Sequence, residues 1–159
     1  MKNKLGISDD MQLKKLEYKI TNFKHKLIDE YFSFNEDNIF SLDYLEKLHI
    51  FLFSDLYDEE DCKIKSTVSQ DSKKKVKCEL DKLKTLAYDR DNINQESISN
   101  CIYNIWEEQI FLDGNTRTLR AFLKIYYLGL DITTDYDFNQ DIHKDYIIDS
   151  LTKIKIKQI

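Results

Sequence analysis

A chain of 159 residues, 42% hydrophobic and 13% aromatic, is long enough to bury one real core. Its 24 basic residues against 29 acidic ones leave a net charge of −5, and no basic run is long enough to track a phosphate backbone, which argues against a nucleic-acid binder. Three cysteines with no CxxC pair and only three histidines argue against a zinc framework and fit free thiols in a reducing compartment, and no stretch approaches the ~20 apolar residues of a membrane span.

The start, Met1-Lys2-Asn3-Lys4, runs into Ser8-Asp9-Asp10 instead of an apolar segment, so a cytoplasmic protein is expected, with delivery through a dedicated secretion system left open. Leu13, Leu16, Ile20, Phe23, Leu27 and Tyr31 then repeat at three and four and predict a first helix on that stripe. Ser41 is placed to cap a second, which carries Leu42, Leu45, His49, Leu52, Phe53 and Leu56. His49 on this apolar stripe reads as a core histidine, whereas His25 between Lys24 and Lys26 reads as solvated.

After the acidic Glu59-Glu60-Asp61, the alternation through Lys63, Ile64, Lys65, Ser66, Thr67, Val68 and Ser69 predicts a short exposed β-hairpin or flap. A third helix places Val76, Leu80, Leu83 and Ala87 on one stripe. A fourth aligns Ile98, Cys101, Ile102, Ile105 and Trp106, with Gln109 continuing the inward face. A fifth begins near Thr116 and carries Leu119, Phe122, Leu123, Tyr126, Tyr127 and Leu130, apolar enough to be the central helix. A last amphipathic helix is expected through Tyr146, Ile147, Leu151 and Ile154. The run Asp135 to Asp141 imitates a calcium loop but puts Gln140 at the turn glycine, so capping acids explain it. With no repeat or linker, residues 1–159 read as one mainly α domain.

The cations are 21 lysines and three arginines, there are three glycines, and proline is absent. Against that background, Gly114, Arg117 and Arg120 fall within seven residues, in Phe111-Leu112-Asp113-Gly114-Asn115-Thr116-Arg117-Thr118-Leu119-Arg120. A permissive turn entering a helix beside two forked guanidiniums is a phosphate-binding arrangement. Asp113 beside it is placed to hold Mg²⁺. The same residues also suit an ordinary helix corner, with Asp113 or Thr116 as a cap and the arginines in surface ion pairs.

This segment resembles the Fic-domain signature, His-Pro-Phe-x-(Asp/Glu)-Gly-Asn-(Gly/Thr)-Arg-x-x-Arg. The stretch from Leu48 to Asp58 resembles the helix that leads into that family's flap, and the likeness spans about 42–130. It implies a helical Fic-like fold that transfers AMP from ATP to a Ser, Thr or Tyr hydroxyl of a target protein. By the same resemblance, Gly114, Asn115, Thr116 and Arg117 cradle the nucleotide's phosphates, Arg120 takes the terminal phosphate, Asp113 holds Mg²⁺, and the segment Lys63–Ser69 docks the target peptide. An accompanying antitoxin chain is compatible with it.

Gln109 stands where the family has its catalytic histidine, and Ile110 where it has proline. An amide cannot act as a general base. A nucleotidyltransferase with weakened catalysis, an inactive Fic-like regulator and an unrelated helical interaction module are the three functions to weigh.

Overall fold

The structure is a computed structural model, and residues 2–35, 38–89, 91, 93–132 and 138 are described. Long runs of Leu, Ile, Lys and Glu without proline give α1 (Asp10–Tyr31), α2 (Leu42–Phe53), α3 (Gln70–Tyr88), α4 (Gln95–Glu107) and α5 (Asn115–Leu130), with a 3₁₀ turn at Glu59–Cys62. Side chains cap the first four: Asp9, Ser41, Ser69 and Asn94 accept from the N–H groups of Gln12, Tyr44, Ser72 and Ser97. The fifth opens on Gly114 with no side-chain cap.

These helices form one helical domain around α5, which packs on α1, α2 and α4, while α3 lies against α4 and α2. Every residue from Asn115 to Tyr127 is buried. Phe122, 1% exposed, lies 6.2–6.3 Å from the rings of Phe40, Tyr44 and Tyr126. Burial of one such ring is worth roughly 1.5–3 kcal/mol. The expected stripes of α3 and α5 are the buried ones, and no helix among the described residues is long and apolar enough to cross a membrane.

Four expectations need correction. The segment from Lys63 to Ser69 forms no strand, so there is no β-hairpin flap. Its backbone is satisfied elsewhere: the Ile64 N–H donates to the Glu46 carboxylate at 2.9 Å and the Lys65 N–H to the Ile110 carbonyl at 2.9 Å, while Ile64 and Val68 lean on the core. The alternation therefore marks two anchored apolar side chains in a loop.

Helix α1 docks by a face rotated from the expected stripe, of which Leu16 and Ile20 still pack against the core. Its buried residues are Glu17, Thr21, His25 and Ile28, and Phe23 and Tyr31 are each 63% exposed. Polar groups of α5 explain the choice. Arg117 meets Glu17, and Lys124 donates to the carbonyls of His25 at 3.0 Å and Lys26 at 3.3 Å and pairs with Asp29 at 3.5 Å. His25 is thus buried, not solvated.

Gln109 lies outside α4, which ends at Glu107; its φ of 46° is left-handed and its side chain is exposed. The expected last helix and the acidic run 135–141 fall outside the described residues.

Candidate anion-binding site at the start of α5

The turn between α4 and α5 is held from inside by its own side chains. Gln109, in the left-handed position past the helix end, donates from Nε2 to the Trp106 carbonyl at 2.7 Å and accepts from Asn115 Nδ2 at 3.2 Å. Asn115 also donates to the Phe111 carbonyl at 3.0 Å and accepts the Phe111 N–H at 2.9 Å. Thr116 Oγ1 accepts from the Trp106 indole at 2.8 Å. The side chains of Asn115 and Thr116 are therefore braces.

Gly114 sets the direction of the turn. Its φ is 78°, and a Cβ there would overlap the Phe53 ring. Beneath it, buried His49 is stacked between Phe111 at 4.1 Å and Phe53 at 4.6 Å. Its Nδ1 and Nε2 each lie 2.7 Å from a carbonyl, of Cys62 and of Asp113. Burial pushes its pKa down to about 4 while the two carbonyls pull the other way, so the ring is neutral at pH 7 and donates to only one of them. This is the structural histidine that the apolar stripe predicted.

The backbone supplies the free donors. The first helical bond of α5 runs from the Thr118 N–H to the Gly114 carbonyl at 3.0 Å. The N–H groups of Asn115, Thr116 and Arg117 have no acceptor among the described residues, as expected for an uncapped helix start. The three residues help to line a cavity of about 230 Å³, with Lys14, Tyr18, Trp106, Gln109, Leu112, Asp113 and Gly114.

Arg117 is committed at the cavity floor. Its Nη2 lies 2.8 Å from Glu17, Nη1 is 3.4 Å from Thr21 Oγ1, and the guanidinium lies 4.7 Å and 4.6 Å from the Tyr18 and Phe53 ring centres. Glu17, fully buried, also accepts the Tyr57 hydroxyl. Asp113 accepts the Gly114 N–H through Oδ1 at 2.7 Å, and its Oδ2 is 3.4 Å from Lys14 Nζ and 4.0 Å from Arg117 Nη2. Partial burial would raise its pKa, but the Gly114 N–H, Arg117 and Lys14 outweigh that and hold the carboxyl below its usual range.

The structure therefore brings together Gln109, Asp113, Gly114, Asn115, Thr116 and Arg117 in one cavity. Arg120 is 3% exposed and does not line it, and neither does the 63–69 loop. Lys14, Glu17 and Tyr18 of α1 complete the site from a helix the signature does not include. Among the described residues no group of three or more His, Cys, Asp or Glu side chains is placed to hold a metal. No family model matches the chain, and no curated protein matches it.

Proposed function

We propose that the chain is a Fic-like nucleotide-binding protein, an adenylyltransferase toward protein hydroxyl groups whose transfer step is slow for want of a general base. The observation that carries this reading is the uncapped start of α5, whose first residues line one cavity together with the Lys14 and Arg117 cations. At about 230 Å³ the cavity suits the phosphate end of a nucleotide; whole small molecules usually occupy ~300–1,000 Å³. A helix N-terminus favours negative charge, which supports this reading because charge builds on the phosphate oxygens during attack at the α-phosphorus.

Asp113 is exposed enough to share a Mg²⁺ ion with those phosphates, which is how one or two carboxylates usually hold it. Bound there, Mg²⁺ would offset phosphate charge. Arg117 acts as a fixed charge at the floor, since Glu17 prevents it from following the ligand outward.

A second reading, an inactive regulator that keeps nucleotide binding, is favoured by two contacts. Gln109 has both ends of its amide occupied, the buried His49 has both nitrogens against carbonyls, and among the described residues no histidine lines the cavity.

Isothermal titration of the wild type with ATP and Mg²⁺ tests what the two readings share. Saturable binding is expected, weakened several-fold in Lys14→Ala, and a folded wild type that binds no nucleotide removes both. Transfer of labelled AMP to proteins in a lysate then separates slow transfer from none.

A further inference from the structure

Asp113 accepts a backbone N–H at a helix start and faces an ammonium and a guanidinium, the donor set that recognises a phosphate oxygen. Two cations, Lys14 and Arg117, are interlaced with two carboxylates, Asp113 and Glu17, through separations of 2.8–4.0 Å. Their charges sum to zero. A phosphate entering this cluster makes it strongly negative unless a carboxylate leaves or is neutralised.

The two carboxylates differ in freedom. Glu17 is fully buried and held by Arg117 and Tyr57. The Asp113 side chain is 50% exposed and sits on a turn, with solvent to move into. Arg117, only 7% exposed and lining the cavity, has no hydrogen-bond partner for its Nε among the described residues. A buried donor with spare capacity and a neighbouring carboxylate that can leave describe a site in its closed, self-occupied form.

We propose that Asp113 is a built-in stand-in for a ligand phosphate, and that a diphosphate group binds between the α5 N-terminus, Lys14 and Arg117 by displacing it. This rests on the phosphate-binding reading above and gives Asp113 a role in the free protein, that of competitor. Once displaced, the carboxylate stands beside the bound phosphates and repels them unless a cation intervenes. Metal-free binding is weak for that reason, and its weakness resides in one side chain.

Calorimetry of inorganic diphosphate in EDTA tests the displacement directly, with the wild type, Asp113→Asn and Asp113→Ser. Serine keeps an acceptor for the Gly114 N–H without the charge, so a fold defect in one variant leaves the other. Loss of a half-exposed carboxylate is expected to tighten diphosphate binding about tenfold, and a gain of at least about threefold in either folded variant supports the proposal. Unchanged or weaker binding in both, or none by any of the three proteins, overturns it.

A parallel titration of the wild type with ATP and Mg²⁺ keeps the two ideas apart. Nucleotide binding without the variants' gain leaves the proposed function standing and removes the stand-in; the gain without nucleotide binding does the reverse and points to free diphosphate as the ligand.

Discussion

The Glu17 carboxylate and the Arg117 guanidinium meet at 2.8 Å, with side-chain exposures of 0% and 8%, across 100 residues of sequence. The pair joins α1 to α5 and forms the cavity floor. Breaking a buried pair from one side leaves the other charge uncompensated, so Glu17→Gln is expected to cost about 3–5 kcal/mol in urea unfolding. The double variant Glu17→Leu/Arg117→Met should recover most of that. A single-variant cost below about 1 kcal/mol would show that water reaches the pair.

His25 sets a pH dependence. Burial first, then the charges of Arg120 and Lys124, lower its pKa to about 3, and burial lowers His49 to about 4, both from an ordinary 6.5. A depressed folded pKa means that the unfolded chain takes up protons first as pH falls. Stability present above pH 6.5 is therefore lost on acidification. Between pH 7 and pH 5 each ring accounts for about 2 kcal/mol. His25→Gln should remove roughly half of the drop, and a flat wild-type profile would mean the rings are charged in the folded protein.

Gly114→Ala combines a left-handed backbone with a methyl group forced onto the Phe53 ring. Strain and overpacking together are expected to cost about 2–4 kcal/mol by thermal or urea unfolding. Phosphate binding should fall with it, because the three N–H groups take their direction from this turn. An alanine variant as stable as the wild type would show that Phe53 yields freely.

Phe122→Ala should cost about 3–5 kcal/mol, since its three aromatic neighbours cannot all close over the void. A loss below 1 kcal/mol would place the ring outside the core.

Gln109→His tests the transfer reaction. The left-handed φ of 46° is one that histidine tolerates better than most residues. On the proposed transfer reaction, an imidazole at the cavity wall would act as general base, help that is typically worth ~10²–10⁴-fold in rate. Labelled-AMP transfer should rise in the variant. A variant that binds nucleotide and stays inert favours the regulator.

How far these features were legible in the sequence differs from helix to helix. In α5 the apolar positions cover a broad face, so periodicity announces burial there, and the Gly114 turn stands out because glycine is so scarce. In α1 the regular apolar repeat misleads. The face that docks holds Glu17, Thr21 and His25, and it does so because Arg117 and Lys124, about a hundred residues later, offer partners that no local window contains. The same long separation hides Lys14 from the site, where its signal was one lysine among 21. In the 63–69 segment, alternation looked like pairing because the carboxylate of Glu46 and the carbonyl of Ile110, which take its N–H groups, also lie outside any local window.

The polar character of α1's docking face also bears on synthesis. A ribosome makes this helix roughly a hundred residues before the side chains of α5 that complete it, a delay of about 5–20 s at ordinary elongation rates. Leu16, Ile20 and Ile28 give the waiting helix an apolar edge, while Glu17, Thr21 and His25 keep the rest of the docking face wettable until Arg117 and Lys124 emerge to claim it.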